Sequence, residues 1–508
     1  MNSEVIKKMK GQRKQYNGFG CSEKICLAIA AAVFIYTCFR AALISISHDE
    51  ALTFLIHSRG SFKDILGHTL WFSSNNHLIN TFLIKLCVGL FGNSEFVIRM
   101  PALLGHALYL SGMLMILKLF MNGVPLLLSY GLAVTNPFLV DFFSCGRGYS
   151  LAVGFMIMGV YYIFRGIVYP EEYRAKDDVI AVLMFTLSVL SHLAYLNVYL
   201  SFVGVLLIQR MYAPKKFGIA VASVAVSAII LRSIYNTGVI QRISMSLFEW
   251  GGIRGFWTDT VSSLLNHVLY GQPYSGSRLI CWSSRLIFAF YVISLAVVVY
   301  AILKRKLKQP EYGLLVWVTC LLFFIAVGMR MEFAFFKIKY AIGRAALYII
   351  PIYVIMISLL LKTAVFIARK WARRMVLGAL YVLIFVVLVH NAVCFNITHF
   401  YTWGFDAHTK EAMNIIRAAS TDKIHSLRKV TIGINWIFEP ATNYYIFKDN
   451  LYWINWTTRN GPDGEYDYYY FCDGDKDIVN KHNLKIIRHF EIFESYVALP
   501  NKNILLQK

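Results

Sequence analysis

Apolar blocks of about 15 to 23 residues recur from Ala28 to Cys394, the length an α-helix needs to cross a bilayer. That repetition dictates a polytopic α-helical membrane protein. Of the 508 residues, 57% are hydrophobic and 15% charged, whereas soluble domains carry roughly a quarter charged residues. A cytosolic enzyme, a disordered chain and a disulfide-knit secreted module are thereby excluded. The net charge of +22 would suggest nucleic acid in a soluble protein, but in a polytopic one it first reports topology. Most cysteines lie inside apolar blocks (Cys26, Cys38, Cys320, Cys394), and no CxxC or Cys/His metal spacing occurs.

Spans are expected at about 24–46, 97–118, 124–142, 148–165, 178–191, 194–209, 217–231, 283–303, 313–329, 343–361 and 375–395. Short loops rich in Lys and Arg face the cytoplasm. They comprise the N-terminus (Lys7, Lys8, Lys10, Arg13, Lys14), Lys215-Lys216, Lys304-Arg305-Lys306 with Lys308, and Arg369-Lys370 with Arg373-Arg374. A full crossing by Leu78–Phe91 would flip every later basic loop. At about 14 residues, with Lys85 inside it, that segment is expected to be a short interfacial or re-entrant helix. The expected architecture is about 11 transmembrane helices in the plasma (inner) membrane, N-terminus cytoplasmic, C-terminus extracytoplasmic. Residues 1–23 form the basic N-terminus and 24–395 the transmembrane module, with outer loops at 47–95 and 232–280. Residues 396–508, where the apolar blocks stop, are expected to be a small extracytoplasmic α/β domain. Its pattern predicts helices over Lys410–Ala419 and Glu439–Phe447, and strands over Val430–Ile434, Tyr466–Phe471, Leu484–Phe493 and Tyr496–Leu499.

The first outer loop opens on His48-Asp49-Glu50. Acidic residues at a membrane boundary are costly unless they face water, a cavity or a partner. On position alone they would merely start an interfacial helix, since Asp is a good N-cap. The same loop, however, adds Asn75-Asn76-His77, Glu95 and Arg99. Later outer turns supply Asp141, Arg147, Tyr149, His192 and Asn197. The long loop carries Arg254, Trp257 and Asp259, and Glu332 and Arg344 precede the 343–361 span. Outer cations run against the positive-inside trend. Each alone is more often paired with a lipid headgroup or a neighbouring acid; as a converging set they suit an anionic, phosphate-bearing ligand.

The stretches HDEALT, SSNNHLINTFLIKL, GNSEFVIRMPALLGH and TNPFLVDFFSCGRGYSL, in that order and spacing, resemble the bacterial relatives of protein O-mannosyltransferases. They are also similar to the lipid A aminoarabinose transferases; both groups are multi-pass GT-C glycosyltransferases. The resemblance covers roughly the first 200 residues well, and the later spans match in architecture. It implies sugar transfer from a polyprenyl-phosphate-linked donor on the outer face, with inversion at the anomeric carbon. It matches Asp49 to the acidic residue of the active centre, which makes it the expected general base, with Glu50 the second choice or an orienting partner. By the same correspondence Asn75, Asn76 and His77 lie near the sugar and phosphate, and Arg147 and Tyr149 match a recurring Arg and Tyr at the outer end of a span, which makes them expected substrate contacts. His48, Arg99, His192, Arg254 and Arg344 are further expected contacts from the converging set of outer residues. No acidic residue closely follows Arg147, as one does in many relatives. That leaves a divalent metal open, with His48, Asp49 and His77 as its available ligands; two histidines in a polar loop are more often not a site.

Two other readings compete: a transporter or flippase for a lipid-linked glycan, and a non-catalytic membrane subunit of a glycan assembly complex. A transporter gathers ionisable residues near mid-membrane and often shows repeated, broken spans. Here they gather at one face. The sugar, and whether the acceptor is a protein, a lipid or a glycan, are not encoded in any motif.

Overall fold

The structure is a computed structural model, and it describes residues 20–71, 75–247 and 250–501. The basic N-terminal cluster at Lys7 to Lys14 lies outside the described residues. Among the described residues, eight helices are long and apolar enough to cross a membrane. They are Cys21–Leu43, Glu95–Lys118, Tyr149–Val168, Leu193–Arg210, Pro214–Ile234, Ser277–Leu303, Pro310–Phe336 and Lys370–Val393. Gly123–Val134 and Pro137–Phe143, bent by 60° across a short break, make a ninth if counted as one span. The Asn136 side chain caps the second half and Pro137 stands at its first position, where its missing N–H is not needed. The chain is thus a polytopic helical membrane protein.

The remaining two expected spans are helical but shorter. Ala175–Ser191 begins with Lys176, Asp177 and Asp178, and Ile349–Ala364 has 16 residues. Asp178 makes a two-pronged ion pair with Arg210 at 3.0 Å, which holds two charges at the ends of neighbouring helices. Leu78–Phe91 is a separate helix of 14 residues with the expected boundaries. It buries Leu78, Asn80, Thr81 and Ile84 and leaves Leu86, Leu90 and Phe91 exposed.

The tightest packing brings Glu95–Lys118 against Tyr149–Val168. A side chain on Gly105 or Gly154 would strike the facing backbone, so small residues let these two helices approach as membrane helices commonly do.

After Cys394 the chain folds into a four-stranded sheet of β1 (Ile432–Ile434), β2 (Tyr468–Cys472), β3 (Leu484–Phe490) and β4 (Ser495–Pro500), in the order β1-β2-β4-β3. β1 and β2 are parallel, which demands a crossover, and the helix Glu439–Lys448 lies in it. The other two pairings are antiparallel. This sheet does not have a core of its own on that helix side. Ala412, Met413, Ile416, Ile434, Phe438 and Tyr445 share one apolar cluster with Ile46, Ala51, Phe54, Ile84 and Ile98 of the first loop and its flanking helices.

Candidate active site

Leu43 ends the first helix, and after four residues the short helix His48–Leu52 begins. Ser47 is its N-cap. The Ser47 backbone N–H and Oγ both donate to Glu50 Oε2 at 2.9 Å, the reciprocal arrangement in which the third helical residue reaches back to the cap. Consecutive residues of a helix point about 100° apart, so Asp49 and Glu50 face different surroundings. The backbone continues into a π-helical turn, Thr53–Ser58, an irregularity frequent at functional sites.

Glu50 was expected as the second choice of base or as an orienting partner, and Arg99 as a substrate contact; in the structure the two pair with each other. Arg99 makes a two-pronged pair with Glu50 at 2.7 and 2.8 Å, and both side chains are fully buried. The same guanidinium donates to the carbonyls of Ala41, Ile44 and Ser45, acceptors freed at the end of the first helix. Gly146 N–H completes the shell of Glu50. Burial pushes the Glu50 carboxyl up, but Arg99 and these backbone donors outweigh it and hold it below its usual value. The pair therefore fixes the short helix to the bundle. The Ser-x-x-Glu spacing of Ser47 and Glu50 marks the start of the helix, and nothing in it marks the pairing with Arg99.

Asp49 faces the other way, between two guanidiniums. Its Oδ2 lies 3.1 Å from Arg344 and 3.5 Å from Arg147. The side chain of Asp49 is 10% exposed, that of Arg147 2% and that of Arg344 35%, so the open side of the cluster is at Arg344. Burial pushes the carboxyl up; Arg344, Arg147, His48 and the Asn75 amide together bring it below the usual carboxylate value. Asp49 is therefore ionised at neutral pH.

Arg147 is oriented by Thr53 Oγ1 at 2.9 Å and by Asn75 Oδ1 at 2.9 Å. Arg344 lies over the Trp403 ring, 4.9 Å from its centroid, so the C-terminal segment supplies part of the wall. His77 and His192 stack at 4.3 Å, and Tyr149 packs on His192 at 3.9 Å. Gly148 makes this possible, because a side chain there would collide with the Ser191 carbonyl and His77. Asp49, Asn75, His77, Arg147, Tyr149, His192 and Arg344 thus form one cluster, drawn from helix ends far apart in sequence.

Three other expected contacts lie elsewhere. His48 donates its backbone N–H to Asp406 at 2.6 Å, and its Nδ1 is 2.7 Å from the Ile437 carbonyl; it anchors the short helix to the C-terminal domain. Asn76 donates to the Ile65 carbonyl. Arg254 is mostly exposed and bonds Asp259 within its own loop. Asp141 pairs instead with Arg40 and accepts from the Tyr270 hydroxyl and Tyr401 N–H, a second buried charge centre away from Asp49. Among the described residues no group of three or more His, Cys, Asp or Glu side chains is placed to hold a metal ion. Thr53, Trp403 and Asp406 were missed from sequence, since nothing local marks them among similar residues.

The bundle and this buried ionic cluster define a polytopic membrane protein with a charged centre at the end that carries the C-terminal domain. No protein-family model matches the chain, and no curated protein matches it. Similar solved structures include ArnT from Cupriavidus metallidurans in the apo state, at 12% identity over 93% of this chain and 97% of that one, with a TM-score of 0.43. The same protein bound to undecaprenyl phosphate aligns at 11% identity over 94% and 98%, TM-score 0.39. The Archaeoglobus fulgidus oligosaccharyltransferase AglB, in complex with an inhibitory peptide and a dolichol-phosphate, aligns at 10% identity over 95% of this chain and 75% of that one, TM-score 0.43.

Proposed function

We propose that the chain is a membrane glycosyltransferase that moves a sugar from a polyprenyl-phosphate-linked donor to an acceptor hydroxyl on the extracytoplasmic face, with inversion. The observation that carries this reading is the buried Asp49 carboxyl group held between Arg147 and Arg344. A hydroxyl is a poor nucleophile, and a carboxylate within hydrogen-bond reach can accept its proton as attack proceeds. The acceptor oxygen forms its bond to the anomeric carbon, the bond from that carbon to the phosphate oxygen breaks, and the lipid phosphate leaves with the electron pair. The acceptor proton passes to Asp49. The two guanidiniums stabilise the charge that develops on the leaving phosphate. A carboxylate between two cations is a weak base; a phosphate anion that draws on the same cations raises its basicity, so the base is strengthened when donor is present.

A purified Asp49→Asn variant, offered a polyprenyl-phosphate sugar and candidate acceptors beside the parent protein, tests this. Loss of transfer in the folded variant supports the assignment, and undiminished transfer removes Asp49 as the base. A parent protein that transports the lipid-linked sugar without transferring it would favour the flippase instead.

A further inference from the structure

Three buried nitrogens at the Asp49 cluster have no hydrogen-bond partner among the described residues: Arg147 Nε, His192 Nε2 and His77 Nε2. His192 and Arg147 are 8% and 2% exposed. A buried donor left unmade costs about 1–3 kcal/mol, so native structures seldom keep several together without a role. The state of His192 follows from geometry. Its Nδ1 accepts the Ala194 backbone N–H at 3.1 Å. A nitrogen that accepts cannot carry a proton, so the neutral ring bears its hydrogen on Nε2, and a doubly protonated ring would break that bond. His192 is therefore a neutral donor with its N–H unmatched. Arg147 Nε–H is a second such donor, while its two terminal nitrogens are held by Thr53 and Asn75. The stack of His77, His192 and Tyr149 stops either ring from turning to find another acceptor.

We infer that His192 Nε2–H and Arg147 Nε–H together form a preorganised subsite for a phosphoryl oxygen, with His192 acting as a neutral positioning residue rather than as a cation. This deepens the transferase reading and rests on it only for the identity of the ligand. Neutrality has a chemical purpose: a third positive charge beside Arg147 and Arg344 would hold Asp49 still lower and make it a poorer base. His77 and His192 are both pushed below the ordinary histidine value, by burial first and then by Arg147 and its charged neighbours, in agreement with the tautomer set by Ala194.

The test measures binding of a polyprenyl monophosphate to the full-length protein in nanodiscs, with inorganic phosphate and phosphatidylglycerol as separate competitors. His192→Leu, which removes the donor, is expected to weaken binding about 10- to 100-fold, the range of a hydrogen bond to a charged group. His192→Gln, which keeps an N–H donor at that reach, is expected to recover most of it. In turnover, His192→Leu should raise KM for the donor more than it lowers kcat. Competition by phosphatidylglycerol but not by inorganic phosphate would assign the subsite to bilayer headgroups and overturn its place in the reaction. Unchanged binding in folded His192→Leu, or no recovery in His192→Gln, overturns the subsite itself. Binding that depends on His192 in a parent protein without transfer would keep the subsite and remove the transferase reading, so the two fail separately.

Discussion

Asp49 and Glu50 are neighbours in sequence with opposite surroundings, and substitutions at each should fail in different ways. Asp49→Asn keeps the size of the side chain and removes the proton acceptor. The expected result is a fall in transfer of about 10²–10⁴-fold, the usual worth of a general base, with a smaller loss of stability than at Glu50, because Arg344 is partly exposed and Thr53 and Asn75 still hold Arg147. Glu50→Gln leaves the Arg99 guanidinium buried without its counter-charge, and breaking such a pair typically costs about 3–5 kcal/mol. That variant should show a lowered unfolding transition in detergent together with lost activity. If Asp49→Asn unfolds and Glu50→Gln does not, the two roles have been assigned the wrong way round.

Among elements, the short helix His48–Leu52 is held from both sides. Arg99 ties it to the bundle, and Asp406, Ile437 and Tyr445 tie it to the C-terminal domain. The Tyr445 hydroxyl accepts the Ile46 N–H at 2.9 Å and reaches Glu95 at 3.2 Å, and Glu95 also pairs with Lys410 and Lys448. Tyr445→Phe should cost about 1–3 kcal/mol, the penalty of stranding a buried donor, and should lower transfer although Tyr445 touches no substrate; paired melting and activity assays check it. Gly148→Ala should separate His77 from His192 and weaken lipid-phosphate binding while leaving the spans in place, as circular dichroism would show. The helix boundaries here were largely legible: Leu78–Phe91, the tail strands and most spans follow from apolar block length and alternation. Docking was not legible. Ile46, Phe54 and Ile84 look like ordinary loop and interface residues until Phe438 and Tyr445 cover them, and no periodicity encodes which surfaces meet across almost 400 residues of chain. Within the site, position alone does not separate Asp49 from Glu50, since either could merely start an interfacial helix, and Arg99 and Arg147 are alike in sequence and differ only in what they reach.

For the whole molecule, buried neutral histidines set the response to acid. His57 and His68, in the first loop, are pushed down to about 4, by burial first. The unfolded chain takes up their protons near the ordinary histidine value of 6.5 while the folded chain does not, so stability rises with pH across that interval. Stability should therefore fall as pH drops from about 6.5 towards 4, well before Asp49 and Glu50 are protonated. Their contribution is present above the ordinary carboxylate range and is lost only below it. Melting temperatures between about pH 4 and 8 would show this slope, and a double His57→Gln, His68→Gln variant should make it shallower, with the remainder left to His77 and His192. A melting temperature that stays level down to pH 5 would contradict the assignment.

The apolar cluster that joins the first loop to the C-terminal domain has a consequence for biogenesis. Synthesis runs from the N-terminus, so His48, Asp49, Arg147 and Arg344 are all synthesised before Asp406, Ile437 and Tyr445. Until then Trp403 is missing beneath Arg344, and the helix that carries Asp49 is tethered on one side only. A nascent chain would insert its spans while its charged centre is still unassembled, and ordering that centre would be among the last steps of maturation.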